Sequence, residues 1–206
     1  MKKIVLSVVA VVAMAAVSKA QVRVGVMGGL NEEDQKINVT EGSIYGNGKF
    51  KSYHAGAIGD MKIGGNFYLQ PQVLFSRKGA TYTNVVSEKD TKIRINYVQL
   101  PVNVVYKLNV PFGKLFAGAG GSFSYAIGGR MSEAGVNTKL FKSGDWKRED
   151  VSLTFTGGIE FNNGLFISSN SQKGLMNINK VNGVTAKSRS VSVSVGYFID
   201  WKKRKA

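Results

Sequence analysis

The chain has 206 residues, no cysteine, a single histidine and a formal net charge of +15. Without cysteine it forms neither disulfides nor a lipid-modified N-terminal cysteine, so packing and backbone hydrogen bonds must hold the fold. No segment after the N-terminal region approaches eighteen continuous apolar residues, so we predict no transmembrane helix.

The positive charge is scattered over turns, loops and the C-terminal tail, with no basic helix or aromatic RNA-binding motif beside it. This distribution argues against nucleic acid as a partner. Anionic lipid head groups are the better match, and charges that only solubilise loops are the alternative.

Residues 1–20 have the three parts of a secretory signal peptide. Two lysines precede a short apolar core, and the small residues Ser18 and Ala20 occupy the −3 and −1 positions of a cleavage site. We therefore expect cleavage after Ala20, a mature domain over residues 21–201, and a basic tail over residues 202–206.

Eight strand-like segments follow in the mature chain. Their approximate bounds are 21–30, 50–62, 66–78, 92–108, 114–130, 150–162, 164–173 and 188–201. The connections alternate between long polar stretches and tight turns, one of which contains the hairpin signal Asn163-Gly164. This alternation is typical of an up-and-down outer-membrane barrel, which has long outer loops and short periplasmic turns.

The last segment shows the strand pattern most clearly. From Val191 to Trp201 an apolar residue stands at every second position, and small or polar residues such as Ser192 and Ser194 fill most positions between. A tilted strand needs about 9–11 residues to cross a bilayer. We therefore predict an all-β, eight-stranded antiparallel up-and-down transmembrane β-barrel, with lipid outside and a narrow polar lumen. A soluble barrel with an apolar core is the alternative.

The fourth predicted strand carries two apolar phases. Ile93, Ile95 and Tyr97 share one phase, whereas the apolar residues from Val98 onward share the other. A β-bulge near Tyr97 or Val98 would bring both sets to one face.

Several charged residues fall on the polar faces of the predicted strands: Arg23, Asp60, Lys62, Arg130, Glu160 and Asp200. The interior of an eight-stranded barrel is just wide enough for side chains to fill, so charges there must pair or contact water. We expect cross-lumen pairs of Arg23 with Glu160 or Asp200 that plug the barrel. An ion-selective pore lined by the same residues is the alternative.

Aromatic residues near the predicted strand ends fit the girdles that such barrels place at the membrane surfaces. They are Tyr53, Phe67, Tyr106, Phe112, Phe116, Tyr197 and Trp201. Ordinary packing would explain some of them equally well. The basic tail would lie at the periplasmic surface, where it meets lipid phosphates or a periplasmic or envelope protein.

Residues suited to catalysis or metal binding are few. His54 lies six residues from Asp60, about 20 Å along a regular strand, so a second strand would have to supply any catalytic partner. Glu32, Glu33 and Asp34 could bind a hard cation weakly, although a solvated acidic loop is the favoured interpretation. The sequence predicts no cofactor, no metal site and no enzyme.

Four segments match the strand motifs of one known family. Residues 67–79 read FYLQPQVLFSRKG and residues 95–107 read INYVQLPVNVVYK. They resemble the "YLQPELLYSxKG" and "xYLEIPLLxKY" strands of the PorT-type small outer-membrane β-barrel family. Val24–Asn31 is similar to its first strand, and the Gly-rich stretch from Phe116 resembles its fifth. Gln99 stands at the family's acidic position, so a function carried by a carboxylate there would be absent.

The resemblance spans essentially the whole mature chain. It implies an eight-stranded barrel of the OmpA/OmpX kind in the outer membrane of a Gram-negative cell, and it implies no activity. The favoured hypothesis is a structural or interaction role with a plugged lumen and outward long loops. A narrow pore for ions or small solutes is the second hypothesis, and a lipid-modifying enzyme that uses His54 is the third.

Overall fold

The computed structural model describes residues 22–39, 42–45, 50–83, 90–133, 136–141, 146–178 and 184–199. These residues form ten strands: β1 (Val22–Val39), β2 (Gly42–Tyr45), β3 (Phe50–Gly64), β4 (Phe67–Thr83), β5 (Asp90–Val110), β6 (Gly113–Glu133), β7 (Val136–Lys139), β8 (Glu149–Phe161), β9 (Leu165–Gly174) and β10 (Val184–Ile199). No helix within the described ranges has the length and apolarity needed to cross a membrane.

Eight of the strands close into a barrel. Their order is β1–β3–β4–β5–β6–β8–β9–β10, every neighbouring pair is antiparallel, and β10 closes onto β1 from Val24 opposite Ile199 to Val39 opposite Val184. The short strands β2 and β7 pair only with β1 and β6 and extend the wall at one end. Closure leaves no free edge through the wall of the barrel. The predicted all-β, eight-stranded antiparallel barrel is confirmed.

The two ends of the barrel differ in their connections. Tight turns join β3 to β4, β5 to β6 and β8 to β9 at one end, which we call the short-turn end. Gly65 and Gly164 take φ values of 50° and 90° in two of these turns, a region that favours glycine. The remaining connections lie at the opposite end, which we call the long-loop end.

Strands are longer than predicted at the long-loop end. β1 continues to Val39 and β10 begins at Val184, so Glu32 and Glu33 lie in a strand rather than in a loop. The sequence shows no apolar alternation in these strand extensions, because a strand outside the lipid can be polar on both faces. Pairing between β1 and β10 nevertheless continues to the last residue of β1.

The apolar face of each strand points outward. On β10, Val193 is 56 % exposed at the outer surface, whereas the side chain of Ser194 is completely buried in the lumen. On β8, Phe155 is exposed and its neighbours Thr154 and Thr156 are buried. An apolar exterior around a polar interior is the arrangement expected of a barrel in lipid, and it is the reverse of a soluble barrel.

The predicted bulge lies on the neighbouring strand. β5 keeps a single phase, because Ile93, Ile95 and Tyr97 are buried inside together with Gln99 and every second residue from there to Lys107. The register shifts between Asn96 and Tyr97, and Ile127 is the extra residue on β6. Ile93, Ile95 and Tyr97 are therefore inside the barrel at the long-loop end, where they belong to one buried apolar cluster. The prediction that a bulge would bring both apolar sets to one face was wrong.

This bulge also reverses the phase of β6 beyond it. Arg130 lies directly opposite Arg94, and both side chains are exposed on the outer surface. The prediction that Arg130 faces the lumen is wrong, because strict alternation along β6 fails once the extra residue is inserted.

Candidate functional site

Four charged side chains meet across the lumen near the short-turn end. Arg23 Nη2 lies 2.5 Å from Asp60 Oδ2, and Arg23 Nη1 lies 2.5 Å from Glu160 Oε1. Lys107 Nζ lies 2.7 Å from both Asp60 Oδ1 and Glu160 Oε2. The four residues come from β1, β3, β5 and β8, and two cations balance two carboxylates. We call them the lumen charge network.

The surroundings of this network add a hydrogen bond and an aromatic contact, and they bury most of it. Gln70 Nε2 donates to Asp60 Oδ1 at 2.9 Å, and Lys107 Nζ lies 4.5 Å from the centre of the Tyr68 ring. The side chain of Lys107 is only 1 % exposed. An apolar layer covers the network on the lumen side: Met27, Ile58, Leu74, Phe166 and Phe198. The short-turn end is therefore closed by charge pairing and packing together.

Three residues in the middle of the lumen are connected as in a hydrolase triad. His54 Nδ1 lies 2.6 Å from Asn31 Oδ1, and His54 Nε2 lies 2.9 Å from Ser194 Oγ. Because Asn31 Oδ1 can only accept, the proton sits on Nδ1 and Ser194 donates to Nε2. The sequence predicted that any partner of His54 must come from another strand, and the partners lie on β1 and β10.

The same three residues have no room for a substrate. His54 is 5 % exposed and Ser194 is fully buried. The cavity that His54 and Asn31 line has a volume of about 20 Å³, which holds roughly one water molecule. Acyl transfer also needs donors aimed at a developing oxyanion, and the backbone amides of a paired strand are already used in the ladder. The arrangement fills this part of the lumen, and its hydrogen bonds satisfy both ring nitrogens of His54.

The long-loop end of the lumen is closed by a second apolar cluster. Ile93, Ile95, Tyr97, Ala126 and Leu140 are buried there, and Met131, Phe141 and Trp146 pack against them. The backbone of Leu140 donates to Gly129 O at 3.1 Å, which fixes the chain after β7 over the mouth. A polar layer lies between this cluster and His54. In it, Ser190 donates to Glu33 Oε1 at 3.0 Å and Ser188 donates to Asp150 Oδ2 at 2.7 Å.

The structure brings together three of the six charged residues predicted to face the lumen, namely Arg23, Asp60 and Glu160. Lys62 is exposed at the short-turn end rather than buried in the lumen, because it lies beyond Met61, where the pairing of β3 with β1 ends. Arg130 faces outward, and Asp200 lies outside the described residues. Sequence reasoning missed Lys107, although its position two residues beyond Val105 on the inward phase of β5 is the signal that could have identified it.

Most of the predicted girdle residues lie on the outer surface, but some do not. Tyr53, Phe67, Tyr106, Phe112 and Tyr197 are between 41 % and 55 % exposed on the outer surface. Phe67 and Tyr106 make an edge contact with ring centres 5.0 Å apart. Phe116 is instead buried in the lumen, because it shares the inward phase of β6 with Ser122. Trp201 and the basic tail lie outside the described residues.

The predicted acidic cluster is divided between the two faces of β1. Glu32 is exposed on the outer surface, whereas Glu33 is buried in the lumen. Neighbouring strand residues point to opposite faces, so these two carboxylates cannot share one cation. None of the described acidic and histidine side chains form a group of three that could hold a metal ion.

Solved outer-membrane barrels have a similar fold. OprG of Pseudomonas aeruginosa aligns at a TM-score of 0.50 and 10 % identity, covering 86 % of this chain and 95 % of OprG. Neisserial surface protein A aligns at 0.46 and 15 %, covering 84 % and 96 %. The attachment invasion locus protein Ail of Yersinia pestis aligns at 0.45 and 13 %, covering 86 % and 99 %. None of the curated proteins compared with the chain matches it.

One family matches most of the sequence. The model of the outer membrane protein β-barrel domain matches residues 15–180, which is more than half of the chain. The closed antiparallel barrel with an apolar exterior agrees with this match. The chain therefore belongs to the outer membrane protein β-barrel domain family.

Proposed function

We propose that this protein is a non-conducting barrel of the outer membrane with a structural or interaction role and with its long loops facing away from the cell. The lumen charge network is the observation that carries this proposal. The network spans the lumen from β1 to β5 and β8. Each of its four residues makes two charge-assisted contacts with the others.

The rest of the described lumen supports closure. Two of its cavities have volumes of about 20 Å³ beside His54 and about 10 Å³ beside Phe166. Neither is large enough for a hydrated ion to pass, since a single water needs about 10–15 Å³. Opening a path would separate Lys107 from two carboxylates inside the barrel, and breaking a buried ion pair costs about 3–5 kcal/mol.

Single-channel recording in planar bilayers tests this proposal. We expect no stepwise currents from the native protein. Glu160→Gln leaves Arg23 and Lys107 with one carboxylate, and we expect it to destabilise the barrel. Stable currents from the native protein would contradict closure.

The second candidate function is a narrow pore for ions or small solutes. The observation that favours it is the polar lining between the two apolar layers, which includes Asn31, Gln72, Gln99 and Ser190. In this case the native protein conducts, and Glu160→Gln changes ion selectivity rather than stability.

Two finer points are part of the proposal. The segments that resemble the PorT-type family form the adjacent strands β4 and β5, and this supports placing the chain in that subgroup. Outer-membrane lipids contact the apolar exterior, and a periplasmic or envelope protein is the partner proposed for the basic tail. Co-purification from the outer-membrane fraction, with and without residues 202–206, tests the second point.

A further inference from the structure

An open cavity of about 720 Å³ lies on the outside of the barrel at the long-loop end. Residues of β4, β5, β6 and β7, with the segment just before β8, line it. The described residues that line it include no carboxylate, and five of them are cations: Arg77, Arg94, Arg130, Lys139 and Arg148. We call these five residues the rim cation cluster.

Three members of the cluster stand in direct register across three strands. Arg94 on β5 is opposite Arg130 on β6, and Arg130 is opposite Lys139 on β7. On its other side Arg94 is opposite Gly79. Directly opposed side chains have their Cβ atoms about 4.5–5.5 Å apart, and like charges at this distance destabilise a sheet. The fold therefore concentrates positive charge here at a cost to its own stability.

Cations on the opposite wall at the same end, formed by β9, β10 and β1, have different register partners. Arg189 on β10 is opposite Lys173 on β9, but its other register partner is Asp34 on β1. The register of that row therefore includes an acidic residue. The described row of Gly79, Arg94, Arg130 and Lys139 contains no acidic residue, so the row does not neutralise its own charge.

The cluster begins where the apolar exterior ends. On β5 the outward residues are apolar from Leu108 to Val98, and Asn96 and Arg94 are the next two outward positions. These ten residue steps measure about 33 Å along the strand at about 3.3 Å per residue. At a tilt of about 40° the band is about 25 Å high, as in outer-membrane barrels. The cluster thus lies at the level of the lipid head groups.

The shape of the cavity suits a bulky head group that carries phosphate. A Cβ atom added at Gly128 would meet nothing within 4 Å, so the wall is open at this position. The Arg148 guanidinium lies 4.5 Å from the centre of the Phe141 ring, and Arg77 Nε donates to Asn96 Oδ1 at 3.1 Å. These contacts hold two guanidinium groups in place, and a held guanidinium presents paired donors to a phosphate.

We infer that the rim cation cluster binds the phosphate groups of a phosphorylated lipid in the outer leaflet. The inference takes from the proposed function that the long loops face outward, but it does not depend on closure of the lumen. Ile127, an exposed apolar residue that also lines the cavity, would contact the apolar part of the same lipid. Bound phosphate would offset the repulsion between Arg94, Arg130 and Lys139.

Native mass spectrometry of the full barrel in detergent micelles tests this inference. The probe is the bisphosphorylated glycolipid purified from Gram-negative outer membranes, titrated against wild type and Arg94→Gln/Arg130→Gln. We expect the double variant to bind the glycolipid at least about tenfold more weakly, because each lost guanidinium removes a charge-assisted contact. The matched control Lys173→Gln/Arg189→Gln loses the same two charges from the opposite wall and should bind as wild type does.

Inorganic pyrophosphate at the same concentration distinguishes a lipid from a free anion. We expect it to leave glycolipid binding unchanged, and displacement of the lipid would overturn the inference. Equal binding by the double variant and wild type, or an equal loss in the control, would also overturn it. A heat-dependent gel shift verifies folding, and Arg130→Lys, which keeps the charge but not the paired donors, is the second variant. Binding by Arg130→Lys should fall by less than that of the double variant.

Discussion

The lumen charge network and the rim cation cluster show two uses of charge on one barrel. In the lumen, Lys107 contacts two carboxylates at 2.7 Å and two cations balance two anions. At the rim, Arg94 and Arg130 face each other in register, and none of the described residues that line the cavity beside them is a carboxylate. Charges that stabilise a fold are neutralised within it, whereas charges that bind a ligand remain unbalanced until it arrives.

The largest expected effect comes from removing a cation of the lumen network. Lys107→Met leaves Asp60 and Glu160 with only Arg23, and we expect a loss of about 3–5 kcal/mol in the free energy of unfolding. Denaturant titration of the barrel in phosphatidylcholine vesicles measures it. The control Lys62→Met removes an exposed lysine at the same end and should change stability by less than about 1 kcal/mol. Equal effects of the two changes would show that burial of the network contributes nothing.

A smaller effect is expected from a charge inside the apolar band. Val193→Arg places a guanidinium in lipid and should cost roughly 2–4 kcal/mol if the site lies near the midplane. Lys187 lies on the same face of β10 beyond the apolar band. The control Lys187→Arg should therefore leave the free energy of unfolding nearly unchanged. Vesicle unfolding experiments compare the two. If both changes are tolerated, the rim cannot be assigned to the head-group level.

Removing one anion from the lumen network should have a moderate effect. Glu160→Gln keeps the shape but loses charge-assisted bonds to Arg23 and Lys107, so we expect about 1.5–3 kcal/mol of destabilisation. Glu32→Gln on the outer surface of β1 is the control, with an expected change below about 1 kcal/mol. The same vesicle titration measures both variants, and a stability of Glu160→Gln equal to that of wild type would argue against a structural network.

The smallest effect has the opposite sign. Arg130→Gln relieves repulsion from Arg94 and Lys139, and in vesicles without anionic lipid it should stabilise the barrel by about 0.2–1 kcal/mol. Adding the bisphosphorylated glycolipid should remove this advantage, because the wild type then gains a ligand. A destabilised Arg130→Gln barrel in neutral vesicles would mean that the cluster is already neutralised by the chain itself.

Sequence alone was sufficient for the architecture because alternation is a local property. The pattern from Val191 to Ile199 determines which side chains face lipid, and the parity of loop lengths determines that the strands run up and down. Neither the alternation nor the parity of loop lengths depends on how the side chains pack. Arg23, Asp60 and Glu160 were identified as lumen residues for the same reason, since each lies in phase with small or polar neighbours on its own strand.

Only the tertiary structure decided which charged side chains contact one another and which side chains point outward from the barrel. Lys107 joins Asp60 and Glu160 because closure brings β3, β5 and β8 around one narrow lumen, a distance relation that no single strand contains. Arg130 points outward because one extra residue at Ile127 reverses the phase of β6. Alternation along a strand predicts which face a side chain is on only as long as the strand contains no bulge. The position of a bulge depends on pairing with the neighbouring strand.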